Sequence, residues 1–206
     1  MSTDTSGSQR SSFLTPTSYV VLGLVAWMQP TTPYDLKQAT NLTIGNFWTF
    51  PHTQLYTEPV RLADAGLLTE EREDGGRRRR LFSITDPGRA ALAAWLTEAS
   101  DEPTEVRDRG LLQLFFSGHA DPTTTVAIAR VQRLSHERRL EGYAAQERVI
   151  REQLDPPAQR GPLFPHPTAR ARALRQATLS FGLTYERAAV EFWRAIEAAP
   201  PGAAEQ

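Results

Sequence analysis

The sequence predicts a mainly α-helical fold in which one two-stranded hairpin lies between an N-terminal and a C-terminal group of helices. Two observations support this prediction. Apolar residues recur at helical spacing on both sides of residues 67–84, whereas within that range the pattern changes to that of strands around Gly75 and Gly76.

The 206 residues contain no cysteine, which excludes a disulfide framework, thiolate metal sites and a cysteine nucleophile.

The composition is that of a globular chain, with 40% hydrophobic and 23% charged residues. The longest apolar run, from Tyr19 to Met28, is about half of the roughly 20 residues that a membrane-spanning helix needs. We therefore expect a cytoplasmic protein without a membrane segment. The formal net charge is −1, so any binding of nucleic acid must depend on a local basic patch.

Three helices are predicted before the hairpin, after a polar tail over residues 1–14. The first helix covers 17–27 and is apolar around most of its circumference. The second begins at the N-cap Thr32 and directs Leu36 and Ala39 inward. The third is predicted over 49–65, with Pro51 in its first turn and a kink at Pro59, and Gly66 ends it.

The hairpin is predicted from strands 67–71 and 77–84, and Thr85 then caps a fourth helix that extends through Leu96. Helices 106–116, 122–154 and 168–198 follow, and a proline-rich surface connection over 155–167 separates the last two. The predicted organisation is a tail over 1–14, a first domain over 15–98, a helical domain over 104–198 and a tail over 199–206.

The last helix carries an apolar stripe that needs a partner. The long helix before it offers Val131, Leu134 and Tyr143 as one narrow seam beside many arginines. Because two such helices form a small core, we expect pairing with a second copy of the chain. The predicted dimerisation residues are Leu174, Phe181, Tyr185, Phe192 and Ile196.

Three helices followed by a two-stranded wing form a winged helix-turn-helix, in which the third helix enters the major groove of DNA. The sequence resembles the PadR family of bacterial transcriptional regulators. The resemblance lies in the segments 19–24, 33–36, 46–49, 52–56 and 61–68, continues through 83–89, and enters the second half at 111–116.

This resemblance implies a homodimeric repressor whose paired wings lie on a palindromic operator and whose last helices form the dimer contact. Family members similar to the phenolic-acid regulator are released from DNA by a small aromatic effector. The fold class is therefore predicted as a winged helix-turn-helix with a C-terminal all-helical dimerisation domain.

The start of the third helix and the wing hold the candidate contacts to DNA. Glutamine and threonine can exchange hydrogen bonds with base edges, and Gln54 is the strongest candidate for base recognition. The alternative is that these polar residues only cap and solvate the helix. The predicted nucleic-acid-binding residues are Tyr34, Lys37, Thr49, Phe50, Thr53, Gln54, Tyr56, Arg77 and Arg78.

The arginine run 77–80 has two interpretations. Strand alternation sends Arg77 and Arg79 to one face and Arg78 and Arg80 to the other, so only part of the run can contact phosphates. Alternatively, the run is a solvated face paired with the acidic residues of 70–74. Residues 15–98 contain eight basic and nine acidic side chains, which argues against strong attraction to DNA.

Trp48, His52 and Trp95 are candidates for an aromatic effector pocket. Trp48 and His52 lie four residues apart at the entry to the third helix, and Trp95 lies near the end of the fourth. The alternative is that both tryptophans pack in the core.

The sequence carries no enzyme signature. The four histidines lack metal-ligand spacing, and neither Gly-x-Gly nor a P-loop occurs. We expect no enzyme activity, no cofactor and no metal. The alternative function is a winged-helix module that docks protein and does not bind DNA.

Overall fold

The computed structural model describes residues 14–48, 51, 53–73, 79–151, 157–158, 161–162 and 168–202. The predicted order of helices and hairpin is confirmed in these ranges. Short 3-10 helices occupy Ile44–Asn46 and Ser117–His119. The helices are α1 (Pro16–Met28), α2 (Pro33–Leu42), α3 (Gln54–Asp64), α4 (Asp86–Thr97), α5 (Arg109–Phe116), α6 (Pro122–Arg151) and α7 (Ala169–Ala198). The strands are β1 (Leu68–Arg72), β2 (Arg80–Ile84), β3 (Pro157–Ala158) and β4 (Gly161–Pro162).

Two compact units are distinguished. The first contains Met1–Ser100 and Asp155–Thr168, and the second contains Asp101–Leu154 and Ala169–Gln206. The predicted functional boundaries at residues 98 and 104 stay a prediction. The predicted tail segments 1–13 and 203–206 lie outside the described residues, whereas Leu14 packs against the core of the first unit.

Helix α1 is the centre of the first unit. Thr15 caps it in a reciprocal capping box with Ser18, and Pro16 occupies its first turn, where the missing backbone donor costs nothing. Val21, Leu22 and Val25 are fully buried and pack with residues of α2, α3, β1 and β2. The predicted burial of this helix on most sides is therefore confirmed.

Helix α2 begins as predicted at Thr32, which forms a second capping box with Asp35. Leu36 and Ala39 are fully buried, as the sequence predicted. These two residues pack in the core around α1. The opposite face of α2 carries Tyr34 and the half-buried Lys37.

Helix α3 begins later than predicted. It runs from Gln54 to Asp64, not from residue 49, and Pro51 precedes it, with its carbonyl accepting from the Gln54 backbone N–H at 2.9 Å. The helix continues through the buried Pro59, and the predicted kink there stays a prediction. Gly66 ends the turn after the helix with φ of 73°, a backbone conformation that glycine adopts without strain.

The wing is an antiparallel pair in which Leu68 lies opposite Ile84 and Arg72 lies opposite Arg80. Strand β1 begins and ends one residue later than predicted, and β2 begins at Arg80, not at residue 77; the turn residues 74–78 lie outside the described ones. Phe82 is fully buried and exchanges two backbone hydrogen bonds with Thr31, at 3.0 and 2.8 Å. The wing is thus joined to the segment between α1 and α2.

The second unit is built on the antiparallel pairing of α6 and α7. Tyr143 on α6 packs with Leu179 and Leu183 on α7. The predicted seam of α6 is only partly correct, because Tyr143 is buried whereas Val131 and Leu134 are exposed. The helix predicted from residue 106 begins at Arg109, where Asp108 accepts from the first backbone N–H groups.

The close approach of α4 to the wing generates a stability prediction at Gly88. A Cβ atom there would lie 2.1 Å from the Leu67 carbonyl oxygen and 2.9 Å from Ile84 Cγ1. Gly88→Ala is therefore expected to lower the free energy of unfolding by about 1–3 kcal/mol, as overpacking does. Urea denaturation measures this difference.

Gly23→Ala is the matched control within the same unit. A Cβ at Gly23, in the middle of α1, meets nothing within 4 Å. Because alanine is the better helix former, this variant is expected to gain about 0.5–1 kcal/mol. A Gly88→Ala protein as stable as the unaltered chain would contradict the close approach.

Candidate nucleic-acid interface

The exposed start of α3 is formed by Thr53, Gln54 and Tyr56. Gln54 is the first residue of the helix, and the Thr53 side chain makes no capping hydrogen bond. The first turn is closed by the Tyr56 backbone N–H, which donates to the Thr53 carbonyl at 3.1 Å. These three predicted residues therefore lie together, with polar side chains exposed. The other predicted residues of this segment, Thr49, Phe50 and His52, lie outside the described residues.

A cluster of three polar side chains attaches α3 to the start of α1. Ser18 Oγ donates to Glu58 Oε1 at 2.6 Å, and Arg61 Nη2 donates to Ser18 Oγ at 2.9 Å. Arg61 also donates from Nε to Glu58 Oε2 at 2.9 Å. Each partner therefore satisfies the other two, which allows the Glu58 carboxylate to be partly withdrawn from solvent at a helix junction.

The ionised form of Glu58 is favoured by this cluster. Burial by itself raises the pKa of Glu58, but the hydrogen bonds from Arg61 and Ser18 and the Arg61 charge outweigh it. The pKa of Glu58 therefore lies below the ordinary value of 4.5. Sequence reasoning missed this cluster, because no local pattern relates a helix-capping serine to residues 40 and 43 positions later.

A separate hydrogen bond reaches the exposed start of α3 itself. Thr17 Oγ1 donates to Gln54 Oε1 at 3.0 Å, across the junction of α1 and α3. The Gln54 amide is thus held through its oxygen atom, while the side chain as a whole remains exposed. An oriented amide can donate and accept in one plane, which is the property that base recognition needs.

Helix α2 carries two further predicted contacts to DNA, Tyr34 and Lys37. They are three residues apart and share one helix face, opposite the buried Leu36 and Ala39. Tyr34 is exposed and Lys37 is half-buried. A phenol and an ammonium group on one face can bind phosphate oxygens.

The described part of the wing holds its arginines in ion pairs. Arg80 Nε donates to Glu70 Oε1 at 2.6 Å, and Arg72 lies 3.4 Å from the same oxygen. The hydrogen bond from Arg80 is the main cause that lowers the pKa of Glu70. Arg80 also lies 5.8 Å from the ring centre of Phe82. Among the described wing residues, the interpretation of a paired face therefore holds for Arg72 and Arg80.

Arg79 is half-buried and its carbonyl accepts from the Glu73 backbone N–H at 3.1 Å. The predicted phosphate contacts Arg77 and Arg78 lie outside the described residues.

The two described tryptophans of the predicted effector pocket have different surroundings. Trp95 stacks on Tyr19, with ring centres 4.6 Å apart and planes 7° from parallel. Burial, with the nearby Glu98 charge, raises the pKa of Tyr19. Trp48 is exposed, and its backbone N–H donates to the Ile44 carbonyl at 2.9 Å. The structure therefore gives Trp95 a packing role within the first unit.

Helix α7 has two opposite faces. One face packs on α6 through Leu179, Leu183 and Trp193. The predicted stripe forms the other face, on which Phe181 is 71% exposed. The stripe also includes three other exposed residues, Leu174, Tyr185 and Phe192. Its last residue, Ile196, is half-buried.

A buried polar cluster joins α6 and α7. His136 Nδ1 lies 2.6 Å from Glu186 Oε2, and both side chains are under 5% exposed. Arg139 Nε donates to Glu186 Oε1 at 3.0 Å. The His136 ring also meets Tyr185 edge to face, with centres 6.2 Å apart. The sequence analysis did not identify this cluster, because the helical pattern alone carries no signal that pairs residues of α6 with residues of α7.

No group of three or more metal-binding side chains occurs in the described ranges. Likewise, none of the helices described is both long and apolar enough to cross a membrane.

Two family descriptions match successive parts of the chain. Residues 21–94 match the transcriptional regulator PadR-like family, and residues 106–199 match the C-terminal region of virulence activator alpha. The negative transcriptional regulator PadR of Bacillus subtilis is 29% identical over 100 residues, which are 48% of this chain and 54% of that relative. The match thus spans about half of that relative's length.

Solved structures show the same fold. The Bacillus subtilis PadR structure in complex with operator DNA has a TM-score of 0.70 at 22% identity and covers 88% of this chain and 97% of its own. The structure of that regulator with p-coumaric acid has a TM-score of 0.64 at 21% identity, and the match covers 90% of this chain and 97% of that one. The predicted winged helix followed by a helical region is therefore confirmed as the fold class.

The partly buried Glu58 generates a prediction of pH-dependent stability. Because its folded-state pKa lies below 4.5, the carboxylate stabilises the fold above pH 4.5, and this stabilisation disappears as the pH falls through the folded-state value. Glu58→Gln is therefore expected to cost about 1.5–3 kcal/mol at pH 7, as for a hydrogen bond to a charged group. The difference between variant and unaltered protein should shrink below pH 4.5. Urea denaturation across pH measures it.

Glu71→Gln is the control for this prediction. Glu71 is exposed on β1, and no ion pair joins it to another residue in the described part of the wing. Its substitution should change stability by at most about 0.5 kcal/mol. An equal cost for Glu58→Gln at pH 7 and at pH 3 would contradict the role of the ionised carboxylate.

Proposed function

Because residues 21–94 match the transcriptional regulator PadR-like family, we propose that the chain is a homodimeric DNA-binding repressor of that family. A small effector, with an aromatic compound as the candidate, releases it from a palindromic operator. The observation that carries the proposal is the exposed polar start of α3, held against α1 within a winged helix. In this fold the third helix is the one that enters the major groove.

The contacts to DNA divide between base recognition and phosphate binding. Gln54 is the residue for base recognition, with Thr53 and Tyr56 beside it on the exposed start of α3. Tyr34 and Lys37 on α2 bind the DNA backbone, and Thr49 and Phe50, which precede α3 in the sequence, are further candidate contacts. On the wing, Arg77 and Arg78 bind phosphate. Arg80 has a different role, since Glu70 already neutralises its charge.

The dimer contact is proposed on the exposed face of α7. Leu174, Phe181, Tyr185 and Phe192 are large apolar side chains left exposed on one stripe, and Ile196 ends it. Burial of such a stripe against a second copy removes apolar area from water, which favours association. The two-fold symmetry of a dimer fits half-sites about one helical turn apart.

Release by an effector follows from the same geometry. A ligand that changes the angle between the paired wings moves the two α3 helices off their half-sites. The similar regulator of Bacillus subtilis has been crystallised with p-coumaric acid, which supports an aromatic acid as the candidate. Trp48, His52 and Trp95 are the proposed effector residues, and binding at Trp95 then has to use the ring face that Tyr19 leaves open.

Titration of the protein onto fragments of its own upstream region, at two salt concentrations with footprinting, tests the function. A protected palindrome bound by two chains, with affinity that falls as salt rises, is the expected result. A folded dimer without salt-sensitive binding to duplex DNA would favour the protein-docking module instead.

The wing generates a prediction of salt dependence. Arg77→Ala/Arg78→Ala is expected to lower the slope of log affinity against log salt by about 0.9 for each phosphate that the variant no longer neutralises. The matched control is Arg138→Ala/Arg148→Ala, which removes the same charge from exposed positions on α6. Equal slopes for the two double variants would remove the wing from the interface.

The stripe on α7 generates a prediction of oligomeric state. Phe181→Glu is expected to convert the dimer to a monomer at micromolar concentration, because it places a charge in an apolar contact. Ser180→Glu introduces the same charge one residue away, outside the stripe, and should remain dimeric. Sedimentation velocity distinguishes the two states, and a dimeric Phe181→Glu protein would place the interface elsewhere.

A further inference from the structure

We propose that Thr17 is a specificity-determining residue that positions the Gln54 amide for an adenine in each half-site without itself touching DNA. This inference rests on the proposed function and deepens it. It starts from the 3.0 Å hydrogen bond in which Thr17 Oγ1 donates to Gln54 Oε1. An exposed glutamine without such a contact samples several rotamers and both amide orientations, so its recognition of a base would be weak.

Both ends of this hydrogen bond are attached to one ordered junction. Thr17 lies in the first turn of α1, whose backbone is held by the capping box of Thr15 and Ser18. The next residue, Ser18, is buried and belongs to the cluster with the partly buried Glu58 and Arg61 on α3. Because threonine is branched at Cβ, its hydroxyl has few available directions. The distance between the Thr17 hydroxyl and the start of α3 is therefore set by buried contacts.

The direction of the hydrogen bond determines which groups Gln54 can offer to a base. Its Oε1 accepts from Thr17 and keeps one lone pair, while both N–H bonds of the amide remain as donors. Adenine in the major groove presents an acceptor at N7 and a donor at N6, which match these groups. Guanine presents acceptors at both N7 and O6, so it would leave the remaining lone pair of Oε1 without a donor.

Replacement of single adenines by 7-deaza-adenine tests the inference, because it removes the N7 acceptor and keeps the Watson–Crick edge. The operator is first obtained by selection from random duplexes with the full-length protein. The unaltered protein is expected to bind about tenfold more weakly after replacement of one adenine in each half-site, the size of one good base contact. Gln54→Ala should be insensitive to the replacement at that position.

Variants of Thr17 separate positioning from fold. Thr17→Val keeps the shape and removes the hydroxyl, so the effect of 7-deaza-adenine on its affinity should fall to about twofold or less. Thr17→Ser restores the hydroxyl and should restore the full effect. In the Gln54→Ala background, Thr17→Val should have no further effect, since the residue it positions is absent. Thr97→Val, which removes an exposed hydroxyl at the end of α4, is the matched control.

The outcomes distinguish this inference from the proposed function. Absence of any selected duplex would overturn both. A selected operator with a Thr17→Val protein that stays fully sensitive to 7-deaza-adenine would overturn the positioning role and leave the proposed function standing. A selected operator in which no replacement of an adenine weakens binding would overturn the assignment of adenine.

Discussion

The burial of α1 is the constraint on which the rest of the first unit depends. Its apolar side chains contact residues of α2, α3 and both wing strands, so one helix sets the relative positions of these elements. The polar start of the same helix carries Thr17 and Ser18, which reach α3. Consequently the core and the candidate interface share one reference element. A shift of α1 would move the start of α3 and the wing together.

Each unit has a carboxylate at a helix–helix contact, partly buried in the case of Glu58 and buried in the case of Glu186, and each is surrounded by its own donors. Glu58 is held by Ser18 and Arg61, and Glu186 is held near His136 and by Arg139. The desolvation cost of such groups offsets most of their electrostatic attraction, so they add little net stability when compared with apolar residues. They restrict instead how each pair of helices packs, because a displaced helix would leave a charge without its partners. We infer that they hold α3 on α1 and α7 on α6 in one register.

The sequence pattern identified one face of α7 and missed the face that packs on α6. The stripe that includes Phe181 was visible in the sequence at regular spacing, and the structure leaves it exposed. The face that packs on α6 contains Glu186 among its apolar residues, and the charge weakens the pattern. Similarly, the arginines of α6 suggested a solvated face, although Arg133 pairs with Glu137 and Glu197.

The sequence by itself determined the order of the elements, the capping of α2 and α4, the glycine turn at Gly66 and the apolar stripe of α7. These features depend on residues within one or two helical turns, where spacing and side-chain chemistry act directly. Tertiary structure decided the start of α3 at Gln54, the pairing of Arg80 with Glu70, the stacking of Trp95 on Tyr19 and the orientation of the Gln54 amide. Each of these depends on side chains that lie 10 to 76 positions apart in the sequence or on backbone geometry set by other elements. Only packing around α1 brings such groups within hydrogen-bond or ring-stacking distance, and no local pattern encodes that proximity.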